Sequence, residues 1–65
     1  MSFREWLYDQ LINDAIIDDD YTAEELNKEA LLNETEMDEF DWDNYVDEFK
    51  DHCANIGSEP DWDVE

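Results

Sequence analysis

The chain has 65 residues, of which 22 are Asp or Glu and only 3 are Lys or Arg, so its formal net charge at pH 7 is −19. This length limits the chain to one small domain, and no apolar run reaches the roughly 18 residues that a membrane span requires. The charge opposes direct binding to nucleic acid and to anionic membranes, since both repel carboxylates. We therefore expect a basic protein partner.

The cysteine count and the N-terminus indicate the compartment. The one cysteine cannot form an intrachain disulfide, which is typical of a reducing environment. The first residues also lack the pattern of a secretory signal, in which an apolar run follows positive charges. The expected location is the cytoplasm.

High net charge often indicates disorder, but this chain is rich in apolar residues. Hydrophobic residues make up 42% of the sequence and aromatic residues 14%, whereas acidic disordered chains contain few aromatic residues. The apolar residues also recur at helical spacing. The sequence therefore predicts an all-α protein, with a compact three-helix domain over residues 1–57 and a short acidic C-terminal tail over residues 58–65.

The first helix is predicted at about residues 3–17. Ser2 and Glu5 have the spacing of a capping box, in which side chains accept hydrogen bonds from free backbone amides at the helix start. Apolar residues cover more than half of the circumference, so the helix is expected to be buried on two sides, by two neighbours or by one neighbour and a second subunit. The second arrangement predicts a homodimer through helix 1. The apolar residues concerned are Phe3, Trp6, Leu7, Leu11, Ile12, Ala15, Ile16 and Ile17.

The second helix is predicted at about residues 23–33, after a turn of three consecutive aspartates. Thr22 and Glu25 have the spacing of a second capping box. The side chains expected to face the core are Leu26, Ala30, Leu31 and Leu32.

The third helix is predicted at about residues 42–56, where the apolar stripe is clearest. Phe40 falls on the far side of the same helical wheel, which predicts a break before the helix, with Asp41 as N-cap and with Phe40 and Tyr45 as a hydrophobic staple. Gly57 is the expected C-terminal cap, and Trp62 is expected to hold the tail against the body of the domain. The stripe comprises Trp42, Tyr45, Val46, Phe49, Cys53 and Ile56.

Acidic residues form three groups that we predict to contact the partner. Asp43, Asp47 and Asp51 recur at four-residue spacing opposite the apolar stripe, and like charges at this spacing cost a helix about 0.2–0.5 kcal/mol per pair. The solubility of a small domain requires a net charge of only ~2–8. The negative charge of this chain exceeds what solubility requires, and this excess favours a role in binding. The candidate residues are Asp43, Asp47, Glu48, Asp51, Asp18, Asp19, Asp20, Asp38, Glu39 and Asp41.

The sequence contains no arrangement that is typical of an enzyme, a metal site or a cofactor site. The single His52 and the single Cys53 are adjacent and point about 100° apart on a helix, so they do not form a catalytic pair. No Cys/His cluster has zinc spacing, and a calcium loop that begins at Asp41 would place Val46 where glycine is required. We expect no enzymatic activity, no cofactor and no metal.

In its size, helical character and acidity, the whole chain resembles the DNA-mimic inhibitors of phages and mobile elements, which include anti-CRISPR and antirestriction proteins. The resemblance implies a protein that acts in the cytoplasm of the host cell. Its partner would be a basic nucleic-acid-binding protein or complex, such as a CRISPR effector or a restriction enzyme. The carboxylates of Asp43, Asp47, Glu48, Asp51 and the Asp18–Asp20 turn would face the lysines and arginines that normally hold DNA or RNA.

Two other classes remain open. The segment Asp20-Tyr21-Thr22-Ala23-Glu24-Glu25-Leu26 resembles a helix start of colicin immunity proteins, which implies an immunity or antitoxin protein that neutralises a basic nuclease toxin. An acidic adapter for a basic protein, such as a ribosomal or histone-like subunit, is the third class.

Overall fold

The computed structural model describes residues 1–64 of the chain. Three α-helices follow one another along the chain, α1 (Phe3–Asn13), α2 (Lys28–Glu34) and α3 (Glu39–Ile56), and a single 3-10 turn (Ala23–Glu25) lies between the first two. The predicted all-α three-helix architecture is confirmed. The bounds of all three helices differ from the predicted ones.

Helix α1 ends at Asn13, so the predicted extension to residue 17 is wrong. Ala15 has a φ of 59°, and the amides of Ala15 and Ile16 donate hydrogen bonds to the carbonyl oxygens of Ile12 (3.1 Å) and Leu11 (2.9 Å). This is a Schellman motif, which stops a helix and reverses the chain. The reversal brings Ile17 back to the core, where it is buried. At the other end Ser2 caps α1 as predicted, since its hydroxyl accepts a hydrogen bond from the Glu5 amide.

The predicted second helix over residues 23–33 is also wrong, because its first part is not α-helical. Thr22 makes no side-chain cap, and the actual N-cap of α2 is Asn27, whose side chain accepts a hydrogen bond from the Ala30 amide at 3.2 Å. The Arg4 guanidinium explains the difference. Its Nη1 donates to the carbonyl oxygens of Ala23 (2.8 Å), Glu24 (3.1 Å) and Leu26 (3.1 Å), and this holds the segment in a short turn.

Helix α3 begins at Glu39 rather than at residue 42. Its N-cap is Asp38 and not Asp41, and the two residues form a reciprocal capping box in which each carboxylate accepts a hydrogen bond from the other's amide. Phe40 therefore lies within the helix, where it is 81% exposed and does not form the predicted staple with Tyr45. The C-terminal cap is Gly57, as predicted, with a φ of 69°.

The core is an aromatic and aliphatic cluster between α1 and α3. The Phe3 ring centroid lies 5.0 Å from that of Phe49, and the Trp6 centroid lies 5.3 Å from the same ring. Phe3, Trp6, Leu7 and Leu11 of α1 are buried within one chain, whereas Ile12 and Ile16 are half-buried. The homodimer through this helix stays a prediction.

The C-terminal tail packs beside the start of α1. The Phe3 amide donates to the Asp61 carbonyl oxygen (2.9 Å), and the Asp61 amide donates to the Met1 carbonyl oxygen (2.8 Å). The Trp62 ring centroid lies 5.0 Å from Phe3 and 5.2 Å from Phe49, so the expected contact between Trp62 and the body of the domain is present. Val64 is buried as well, and the tail thus contributes side chains to the core.

Candidate functional site

The solvent-facing side of α3 carries the row of carboxylates that the sequence predicts at Asp43, Asp47 and Asp51. Because an α-helix has about 3.6 residues per turn, burial of Trp42, Tyr45, Phe49 and Cys53 turns the opposite side of α3 towards solvent. Every residue on that side is exposed. We call it the acidic face, and it consists of Phe40, Asp43, Asn44, Asp47, Glu48 and Asp51.

The aspartates of the acidic face form a row that turns by about 80° around the helix axis from Asp43 to Asp51. Asp43, Asp47 and Asp51 are each separated by four residues, so at ~1.5 Å per residue they span about 12 Å of the helix axis. Neighbouring carboxylates in this row have Cβ atoms about 5–6 Å apart. That interval is of the same order as the separation of successive phosphates on a nucleic acid strand.

The structure brings only some of the predicted site residues together. Asp43, Asp47, Glu48 and Asp51 share the acidic face, whereas Asp18, Asp19 and Asp20 form an exposed turn after α1. Asp38, Glu39 and Asp41 lie at the start of α3. Two of these three have a structural role, because the carboxylates of Asp38 and Asp41 form the capping box.

Phe40 is the member of the acidic face that sequence reasoning missed. The helical wheel places Phe40 opposite the core stripe, but the same wheel predicts a break before a helix that begins at residue 42. The capping box starts α3 one turn earlier and keeps Phe40 in register, within about 20° of Asp47 and Asp51 around the helix axis. The helical wheel thus contains the signal that places Phe40 beside the aspartates, and the predicted start of the helix is what is wrong.

Two of the three basic side chains, Arg4 and Lys28, lie outside α3, whereas Lys50 lies on α3 between Asp47 and Asp51. Arg4 is occupied by backbone carbonyl oxygens, including that of Asp63 at 2.9 Å. Lys28 places its Nζ 5.8 Å from the centroid of the Trp42 ring. Lys28 and Lys50 also line a groove of about 480 Å³. The apolar walls of this groove are Phe3, Trp42, Val46, Trp62 and Val64.

Burial and nearby carboxylates together raise the pKa of one core tyrosine, Tyr45. Burial raises the pKa of the Tyr45 hydroxyl, and the hydrogen bond that it donates to Asp14 and the charges of Asp14, Asp41 and Glu48 raise this pKa further. Tyr45 therefore stays protonated and remains a donor, which links α3 to the end of α1.

Within residues 1–64, no group of three or more His, Cys, Asp or Glu side chains is placed to hold a metal ion. No helix in the same region has the length and apolar character needed to cross a membrane.

No family model, curated protein or solved structure matches the chain. The molecule measures 33 × 22 × 19 Å, and duplex DNA carries one charge per ~1.7 Å, so a duplex as long as this molecule carries about 19 negative charges. The net charge of the protein is −19.

Proposed function

We propose that the protein is a nucleic-acid-mimicking inhibitor. It binds the basic DNA- or RNA-binding surface of a host defence complex, such as a CRISPR effector or a restriction enzyme, in the cytoplasm of the host cell. The observation that carries this proposal is the match in charge density, −19 over a long axis of 33 Å. A basic channel that holds a nucleic acid would attract such a surface for the same electrostatic reason.

The acidic face is the best candidate for the contact surface. Its like charges oppose one another along α3, at a cost of about 0.2–0.5 kcal/mol for each pair four residues apart. The core does not need them, because Asp43, Asp47 and Asp51 are all exposed. A partner's lysines and arginines would convert this internal repulsion into favourable contacts.

Competition with DNA tests the proposal. A panel of purified CRISPR effectors and restriction enzymes is bound to a labelled duplex, and displacement by the protein is followed by fluorescence anisotropy. We expect competitive displacement from at least one member. A ternary complex, in which that member holds the protein and DNA simultaneously, would contradict mimicry.

A matched pair of variants tests the surface. Asp47→Asn with Asp51→Asn removes two charges from the acidic face, and Glu29→Gln with Glu59→Gln removes two exposed charges elsewhere. We expect the first double variant to displace DNA at least about 10-fold less well than the wild type, since removing one partner of a close charge pair leaves the other charge unpaired at the interface. The second should change displacement much less. Equal losses would mean that net charge, and not the acidic face, determines binding.

The two alternative classes predict different outcomes in the same assay. The immunity-protein alternative depended on a helix start at Thr22, and that segment is instead a short 3-10 turn. Such a protein would act on one dedicated nuclease toxin and on no defence complex. An acidic adapter would bind its basic partner without displacing nucleic acid.

A further inference from the structure

Phe40 is the most exposed of the large apolar side chains that the structure describes. It is 81% exposed, compared with 56% for Ile56 and 41% for Trp62. Isolated exposed apolar residues are common on protein surfaces and by themselves need no explanation. The position of Phe40 is what distinguishes it, because it stands at one end of the acidic face and points away from the core.

Acidic residues flank Phe40 in the chain and on the same side of α3. Glu39 and Asp41 precede and follow it in the chain, and Asp43 is three residues on, at a spacing that places Cβ atoms about 5–6 Å apart on a helix. Asp47 lies on the same side, two turns along. An aromatic ring between anionic groups has the same chemical pattern as a base between the phosphates of a single strand.

Proteins that bind unpaired nucleotides have pockets for this pattern. Their aromatic side chains or arginine guanidinium planes stack on the base, while lysines and arginines at the rim hold the phosphates. A phenyl ring can stack in such a pocket, because stacking on a π-face does not require the hydrogen-bonding edge of a base. A surface that contacts only the backbone of a duplex would leave Phe40 in water.

We propose that Phe40 enters a base-accepting pocket of the partner, while the carboxylates of the acidic face contact the basic rim of that pocket. This inference rests on the proposed function and narrows it to partners that hold at least one unpaired nucleotide. Phe40 is then the buried anchor of the interface, and the surrounding charges form its polar rim, an arrangement typical of binding hot spots.

The groove beside Trp42 and Trp62 is the other apolar feature of the surface, and it fits this partner less well. Lys28 and Lys50 line it, and both would repel a basic rim. Lys28 is in addition placed over the Trp42 ring. The acidic face is therefore the better candidate for contact with a basic rim, because the residues around Phe40 are acidic.

Two variants of exposed residues in α3 separate an anchor from ordinary surface. Phe40→Ala removes the ring, and Ile56→Ala is the matched control because Ile56 is also exposed but lies at the opposite end of the helix. With the panel member that the wild type displaces from DNA, we expect Phe40→Ala to raise Kd about 10- to 100-fold and Ile56→Ala to change it less than about 3-fold. Phe40→Trp should retain binding. Circular dichroism should show equal helicity for all three variants.

The salt dependence of Kd distinguishes the role of Phe40 from that of the carboxylates. Phe40→Ala removes no charge, so the slope of log Kd against log salt should stay as in the wild type, whereas Asp47→Asn with Asp51→Asn should reduce it. Wild-type affinity in Phe40→Ala, beside weakened binding in the aspartate variant, would overturn the anchor and leave the proposed function standing. Failure of the wild type to displace DNA from any panel member would overturn both.

A photocrosslinking residue at position 40 locates the pocket directly. Benzoyl-phenylalanine in place of Phe40 should crosslink to the partner residues that contact an unpaired base, and excess single-stranded nucleic acid should suppress the crosslink more than duplex does. Crosslinks confined to the surface that contacts the duplex backbone would contradict the proposal.

Discussion

Ala15 occupies the position after the C-cap of α1, with a φ of 59°. Glycine is the usual residue at this position of a Schellman motif, since it alone adopts the left-handed conformation without a steric cost. The sequence gives no local sign of this turn, because Ala15 continues the four-residue repeat of Phe3, Leu7 and Leu11. Burial of Ile17 requires the reversal, and that is a tertiary effect.

Ala15→Gly should stabilise the fold. The substitution removes the steric cost of a left-handed residue that carries a Cβ atom. Glycine also raises the entropy of the unfolded chain, which opposes this gain, and we expect the free energy of unfolding to rise by about 0.5–1 kcal/mol in total. Urea denaturation measures the change. Ala54→Gly, at an exposed position inside α3, is the matched control and should lower the free energy of unfolding by about 0.5–1 kcal/mol. Equal losses in both variants would show that Ala15 is not left-handed.

Among the elements, the start of α1 and the tail form one hydrogen-bonded unit around Asp63. Its Oδ1 accepts a hydrogen bond from the Arg4 amide (2.7 Å), and its Oδ2 accepts one from the Ser2 hydroxyl (2.5 Å). A carboxylate at this place also interacts favourably with the positive end of the helix dipole. The unit joins residues about sixty positions apart.

Asp63→Asn should destabilise the protein in a pH-dependent way. Burial raises the pKa of the Asp63 carboxyl, but the hydrogen bonds from the Ser2 hydroxyl and the Arg4 and Asp63 amides, with the charge of Arg4, lower it more, to a value below the ordinary 3.8. A folded-state pKa below the unfolded one stabilises the fold above pH 3.8, and this contribution is lost as pH falls through the folded-state value. Because Asp63 is exposed and water screens its interactions, we expect the free energy of unfolding of the wild type to exceed that of the variant by less than about 1 kcal/mol at pH 7.

Urea denaturation of both proteins at pH 7, 4 and 2.5 measures this difference. The gap in free energy of unfolding should be largest at pH 7 and should shrink as pH falls below 3.8. Asp61→Asn alters an exposed neighbouring carboxylate and should have a much smaller effect at pH 7. If the difference in free energy of unfolding is as large at pH 2.5 as at pH 7, the effect comes from the shape of the side chain and not from its charge.

Local signals predicted the elements only where the decisive partners are close in the chain. The Ser2 cap of α1 and the Gly57 cap of α3 depend on neighbours within one or two turns, and both are present. The predicted stripe of α3 is buried at Trp42, Tyr45, Phe49 and Cys53, whereas Ile56 at the end of the helix is 56% exposed. The Thr22 cap failed because the Arg4 guanidinium, about twenty positions away, binds the carbonyl oxygens of that segment. The row at Asp43, Asp47 and Asp51 was predictable because helical period alone places it opposite the core.

At the scale of the whole molecule, net charge and compactness oppose each other. The Cα radius of gyration is 11.3 Å, so the carboxylates are confined within a volume whose longest dimension is 33 Å. The Debye length is about 30 Å at 0.01 M salt and about 8 Å at 0.15 M. At low salt each carboxylate therefore repels those across the whole molecule, and at physiological salt it repels only its neighbours.

Added salt should accordingly raise Tm. We expect an increase of about 4–8 °C between 0.01 M and 0.15 M sodium chloride, which corresponds to about 1 kcal/mol of relieved repulsion in a domain of this size. Thermal unfolding followed by circular dichroism measures it. Asp47→Asn with Asp51→Asn should melt higher than the wild type at 0.01 M and gain less from salt. A flat response in the wild type would mean that self-repulsion does not limit this fold.

Binding to a basic partner should weaken over the same range, because there the screened interaction is attractive. The two effects have opposite signs, so a loss of binding at high salt cannot be attributed to unfolding of this protein.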